Sequence, residues 1–186
     1  MKISKSIKSS FAILALVISA TGYSQKTKMV GGAEMYPTKN IIENAVNSKD
    51  HTTLVVAVKA ADLVETLQGD GPFTVFAPTN TAFSHLPEGT VENLMKAENK
   101  PVLQSILTYH VVAGNWSAKD IAKMIKKNGG KVNVETVNGS SITMMMDGKK
   151  LKIKDASGNI ATVTIADVNQ SNGVIHVIDT VLLPKM

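Results

Sequence analysis

KVNVETVNGSSITMMMDGKKLKIK, Lys131 to Lys154, is the stretch on which the fold class turns. Lys131 to Glu135 puts Val132 and Val134 on one side, Ser141 to Met146 does the same for Ile142, Met144 and Met146, and Lys150 to Lys154 for Leu151 and Ile153. A period of two belongs to a strand with one buried face, because successive side chains of a pleated backbone point to opposite sides. Asn138-Gly139 and Asp147-Gly148 stand between the runs. Such pairs favour the tight hairpin turn whose central residues need positive φ. With Ala161 to Ile165, entered through Ser157-Gly158-Asn159, the pattern predicts an antiparallel meander with one wet face, on which Lys150, Lys152 and Lys154 stand in a row.

The run that follows, Val174 to Leu183 (VIHVIDTVLL), is apolar on both sides except at His176, Asp179 and Thr180, so it predicts a strand covered on both faces. Phe73 to Ala77 (FTVFA), entered through Gly71-Pro72 and stopped at Pro78, predicts another buried strand. Around it the first half has helical spacing. Ile41, Ile42 and Ala45 mark one helix, and Leu54, Val55, Val58, Leu63 and Leu67 mark one or two more. Asn99 with Pro101 opens a helix whose stripe is Val102, Leu103, Ile106, Leu107 and His110. Ser117 with Asp120 three residues on reads as a capping box before Ile121 and Ile125. Helices first and strands later predict an α+β domain, with no repeat and no linker.

The chain has 186 residues, 44% apolar, 19% charged and 4% aromatic, with no cysteine. One domain of this size buries roughly 70% of its unfolded surface. Lacking cysteine, it has no disulfide framework, thiolate metal site or cysteine nucleophile. All 20 cationic side chains are lysine, and aromatic residues are scarce, which argues against nucleic-acid readout by guanidinium forks and stacked bases. Lys2, Lys5 and Lys8 precede the apolar run Phe11 to Ala20, the pattern of a secretory signal peptide over 1–24 and too short to span a bilayer. Taking those three lysines from 20 leaves 17 against 15 acids, a net charge of +2, too small to imply a polyanion partner by itself. Residues 25–35 are expected to be flexible and 36–184 to form the domain. A secreted or periplasmic location follows, with no membrane span. Three Asn-x-Ser sites begin at Asn115, Asn138 and Asn169.

His85, His110 and His176, with Asp167 and Asp179, are the side chains from which acid–base or metal chemistry would have to be built. No two of these histidines stand at i, i+2 or i, i+4, and no HExxH motif occurs. His110 falls on the apolar stripe of its helix and His176 alternates with Val174 and Ile178, which predicts hydrogen-bonded interior residues. No serine sits in a Gly-x-Ser-x-Gly elbow, and the glycines punctuate hairpins instead of opening a helix over a phosphate. No catalytic residue, cofactor or metal is therefore expected. Two exposed lysine groups, Lys150/Lys152/Lys154 and Lys123/Lys126/Lys127, are candidates to meet an acidic polysaccharide or a lipid head group, or are simply solvated faces.

Two longer segments are specific enough to carry a family resemblance. Phe73 to Phe83 (FTVFAPTNTAF) resembles the first signature of the fasciclin, or FAS1, domain, and Asn172 to Pro184 (NGVIHVIDTVLLP) resembles the second. Between them, Leu107-Thr108-Tyr109-His110-Val111-Val112 is similar to the family's Tyr-His segment. The resemblance runs from about Tyr36 to Pro184 and implies a seven-stranded antiparallel β-wedge or sandwich with helices packed on one side. It implies a secreted, single-domain, bacterial-type adhesion protein without turnover, with a cell-surface or matrix protein or a polysaccharide as partner, and a monomer is expected. In animal members the Tyr-His segment is associated with integrin binding; its counterpart here is Tyr109 and His110 flanked by Leu107, Val111 and Val112. The polar signature residues Thr79, Asn80, His176 and Asp179 are expected to be structural. The alternative function is that of an envelope protein binding a small molecule or lipid in a pocket between the helices and the sheet.

Overall fold

The computed structural model describes residues 26–185; the expected leader lies outside them. The segment expected to be flexible is instead a hairpin, β1 (Lys28–Val30) and β2 (Ala33–Met35). Val30 and Met35 are each 3% exposed. They stand where the alternation of a strand turns them onto the helical layer, and their burial fixes a segment too short to hold itself.

Helix α1 (Ile41–Ala45) opens on a reciprocal cap: the Glu43 amide donates to Asn40 Oδ1 at 2.9 Å and the Asn40 amide to Glu43 Oε2 at 2.8 Å. Helices α2 (Thr52–Ala60) and α3 (Val64–Gln68) follow, then β3 (Phe73–Pro78). Two short helices that the spacing does not reveal, α4 (Asn80–Ser84) and α5 (Thr90–Leu94), lead to α6 (Lys100–Tyr109), with Pro101 in its first turn where an amide hydrogen is dispensable. A three-residue strand, β4 (Val111–Ala113), precedes α7 (Ala118–Lys127). Ser117 caps α7 by accepting from the Asp120 amide at 3.1 Å, while its hydroxyl donates to the Asp120 carboxylate at 2.7 Å. Lys126 and Lys127 lie in the last turn, where the helix dipole favours cations.

The meander is as the period predicts: β5 (Lys131–Glu135), β6 (Ser141–Asp147), β7 (Lys150–Lys154) and β8 (Ile160–Gln170) pair antiparallel in sequence order. β9 (Gly173–Ile178) completes a seven-stranded sheet in the order β4-β3-β9-β8-β7-β6-β5. The orientation is mixed and not antiparallel throughout, because β3 and β9 run parallel from Phe73↔Gly173 to Pro78↔Ile178. A parallel pair needs a crossover connection, here supplied by the helices and meander between them, and parallel strands read as continuous apolar runs because both faces are covered.

Two departures concern strand ends. β9 stops at Ile178, short of the expected Leu183, because the next amides leave the ladder: Leu182 donates to His110 Nε2 and Leu183 to Asp155 Oδ2, each at 2.9 Å. β8 runs five residues past Ile165, with register shifts against β9 and Asp167 at φ 54, a left-handed backbone that Asp tolerates better than most residues.

The central strands divide the interior into two cores. Val75, Ala77, Ile175 and Val177 face the helical layer, where Ile41, Leu54, Val58, Leu67 and Leu107 close over them. On the other face Phe76 and Ile178 join Ile142, Met144, Ile153 and Ala161 of the meander beneath Ile121 and Ile125 of α7. Burying those two isoleucines contributes about 1.5–3 kcal/mol each, which is what holds α7 on the sheet.

Candidate functional site

The signature after β3 is a staple between elements. Thr79 has an extended backbone and accepts from the Ala82 amide at 3.2 Å, capping α4 and turning Ala82 and Phe83 into the core. Asn80 reaches the entrance of α2: its Oδ1 accepts from the Thr53 amide at 3.0 Å and the Thr52 hydroxyl at 3.2 Å, and its Nδ2 donates to the Lys49 carbonyl at 2.8 Å. Asn172 does the same from the second signature, accepting from the Ile41 amide at 3.0 Å and donating to the carbonyls of Leu67 and Gly69 at 2.9 Å.

His176 is fully buried and stacks on Phe76 with ring centroids 5.7 Å apart. Its Nδ1 accepts from the Asp167 amide at 3.2 Å, so the proton sits on Nε2, which donates to the Trp116 carbonyl at 2.9 Å. Asp167 in turn accepts from the Ala118 amide at 2.7 Å at the start of α7. Asp179 ties β8 to the end of β9: the Thr162 amide donates to its Oδ1 at 2.7 Å, the Thr180 hydroxyl donates to the same oxygen at 3.0 Å, and the Asp179 amide returns to the Thr162 carbonyl at 3.2 Å. Replacing this carboxylate leaves an amide without its acceptor, so Asp179→Ala is expected to lose about 1–3 kcal/mol in urea unfolding. A parental midpoint for that variant would refute the role.

The Tyr-His segment is interior, which corrects the expectation of an accessible interaction site there. Leu107, Tyr109, His110, Val111 and Val112 are all buried. The Tyr109 hydroxyl donates to the Ser141 carbonyl at 2.9 Å and accepts from the Ala156 amide at 3.0 Å, fastening α6 to the meander. His110 Nδ1 donates to the Ile106 carbonyl at 2.8 Å while Nε2 accepts from the Leu182 amide. Burial, opposed by that carbonyl and by Asp155, pushes the His110 imidazole down to about 4, and burial likewise lowers His176. The stripe on α6 already carried this outcome; a partner cannot reach these side chains without opening the core.

The candidate histidines and carboxylates do not converge. His85 is exposed at the C-terminal cap of α4, His110 and His176 are each consumed by backbone groups, and among the described residues no three His, Asp or Glu side chains gather as metal ligands. A fourth histidine escaped the sequence reading: His51, 3% exposed, between α1 and α2, with Nδ1 2.9 Å from the Ser48 hydroxyl. Its polar neighbours Asp50 and Lys49 disguise it as a loop residue.

The outward face of the meander is where polar groups remain available. Cross-strand rows place Lys131, Met145, Lys152 and Thr162 side by side, then Asn133, Thr143, Lys154 and Ile160. Lys150 and Lys154 are exposed, whereas Lys152 pairs with Asp147 at 2.5 Å. A groove of about 700 Å³ lies between α7 and the meander, lined by Ala118 and Ala122 with Met146, Lys149, Lys150 and Leu151.

The chain can now be set beside known proteins. Residues 49–184 match the model of the fasciclin domain. Protein sll1483 of Synechocystis is 47% identical over 163 residues, covering 88% of this chain and 83% of that protein. The immunogenic protein MPB70 of Mycobacterium bovis is 39% identical over 145 residues, covering 75% of this chain and 66% of its own. A FAS1 domain pair from the insect cell adhesion molecule Fasciclin I superposes with a TM-score of 0.68 at 23% identity, over 78% of this chain and 51% of the pair, a likeness of fold. The two signatures, the parallel β3–β9 pair they form and the family match describe one scaffold: this chain belongs to the fasciclin family.

Proposed function

We propose that the protein is a non-catalytic interaction module, secreted or periplasmic and monomeric, that binds a cell-surface or matrix protein or a polysaccharide through the outward face of its meander. The observation that carries this reading is the disposition of polar chemistry. Thr79, Asn80, His110, His176 and Asp179 direct their hydrogen-bonding atoms at backbone groups. The exposed Lys150 and Lys154 of β7 point away from the core, and Lys131 stands on the edge strand β5, across β6 from them. His85, His110 and His176 have no aligned nucleophile of the kind hydrolysis or acyl transfer needs, and the Ser48–His51 pair is buried at 1% and 3% exposure. Family membership supports adhesion in kind, and among the described residues no helix is long and apolar enough to cross a membrane.

Exposed charges are screened over about 8 Å at physiological ionic strength, so binding through lysines is expected to be weak and salt-sensitive. Titrating the protein with an acidic polysaccharide such as alginate at low and at physiological salt reads this directly. Lys150/Lys152/Lys154→Glu is expected to weaken binding about tenfold or more at low salt, a change of about 1.4 kcal/mol. Affinity indifferent to both salt and the triple substitution would overturn the assignment of this face.

A further inference from the structure

An apolar cavity of about 50 Å³ lies between the helical layer and the β3–β9 pair, away from the lysine face. Ile41, Val58, Leu67, Val75, Ala77 and Ile175 form much of its wall. Two histidines and Lys59 interrupt this lining. His110 has both ring nitrogens engaged, but the Nε2 of His51 is buried without a hydrogen-bond partner among the described residues. Such an orphan is rare in a native core.

The proton on His51 can be placed. Ser48 is 1% exposed, and among the described residues its hydroxyl meets only Nδ1 of this ring, at 2.9 Å. If the hydroxyl donates, serine and Nδ1 are both satisfied and only an Nε2–H remains; the other tautomer strands the hydroxyl hydrogen as well. Burial keeps the imidazole neutral by lowering its pKa, opposed by the Ala77 carbonyl and by Asp50. Apart from the exposed Lys59, the cavity therefore presents apolar walls and one neutral N–H donor. Its volume is about three to five times the 10–15 Å³ a single water needs, room for three to five small groups. Water is a poor occupant, since each buried molecule needs two to four polar partners and the wall is almost wholly apolar.

We propose that this cavity is a binding site for a small neutral carbonyl compound, a ketone or aldehyde of about three to five non-hydrogen atoms, whose oxygen accepts the His51 Nε2–H while its alkyl part fills the space lined by α1, α2, α3 and β3. A carbonyl fits where an alcohol does not, because it brings an acceptor without a second donor to strand in an apolar wall. The site is independent of the lysine face, and its failure would leave the adhesion reading untouched.

Butanone, with five non-hydrogen atoms, is the probe, and xenon the apolar control. Titration followed by NMR is expected to shift the His51 side-chain ¹⁵N resonance and the methyl resonances of Val58, Ala77 and Ile175 saturably, with a Kd no tighter than about 1 µM for so few atoms. Xenon is expected to move the methyls and leave the His51 nitrogen in place. His51→Leu should weaken butanone at least tenfold while xenon still binds, and Ala45→Leu, filling the cavity from α1, should abolish both. If His51→Leu does not fold, the nitrogen shift of the unsubstituted protein decides alone. No saturable shift on the nitrogen, or equal response to butanone and xenon there, would overturn the proposal.

Discussion

Lowering the pH from 6.5 towards 4 is expected to remove about 3 kcal/mol of stability through His110 alone, the difference between an ordinary histidine and one held at about 4. Above pH 6.5 the ring is neutral in both the folded and the unfolded chain and contributes no pH dependence. Below it the unfolded chain takes up a proton that the folded one refuses, so stability falls as pH falls and the loss is complete near the folded value. His51 and His176, also lowered by burial, act in the same direction. The hydrogen-bonded carboxylates of Glu34, Asp120 and Asp147 are exposed and held low by Tyr36, Ser117 and Lys152 respectively, so they titrate beneath most of this window. Urea midpoints at pH 7.5, 6.5, 5.5 and 4.5 measure the effect, and His110→Gln, which cannot titrate, should flatten part of the slope. Midpoints that stay level from 6.5 to 4.5 would show that these rings are not buried neutral.

Gly173→Ala is expected to be the most damaging single substitution in the sheet. A Cβ at this position would lie 2.1 Å from the Phe73 carbonyl oxygen and 2.9 Å from its carbonyl carbon and amide nitrogen. All three atoms are backbone at the first pair of the parallel β3–β9 register, so neither strand can yield without breaking the ladder that joins the two signatures. A loss above about 4 kcal/mol, or failure to accumulate soluble protein, is the expected result. Gly139→Ala is the comparison: its φ of +88 penalises a side chain, yet nothing stands within 4 Å of the added carbon. There the loss should be about 1–2 kcal/mol, the cost of a left-handed backbone alone. If Gly173→Ala melts with the Gly139 variant, the close approach of the two strands is not what the glycine serves.

These two outcomes differ in how visible they were beforehand. His110 on an apolar helical stripe predicts its own burial, and burial alone gives the sign of its pKa shift. The demand on Gly173 is invisible in a sequence, because the Phe73 backbone that excludes a side chain is a hundred residues away. The same distinction separates the site residues. Thr79 caps its neighbour and Asp179 interrupts an apolar run, both local signals, whereas the reach of Asn80 to α2 and the orphaned nitrogen of His51 exist only once distant helices pack.

Local periodicity and turn chemistry, acting within a few residues, were enough to lay down the meander, the capped helices and the α+β class, and two linear signatures were enough to mark the family. The parallel pairing of β3 with β9, the short β4 and the docking of the β1–β2 hairpin had no such local cause. Each arises from contacts between segments far apart in the chain. Their free energy comes from apolar surface and hydrogen bonds that neither partner can satisfy until the other is in place.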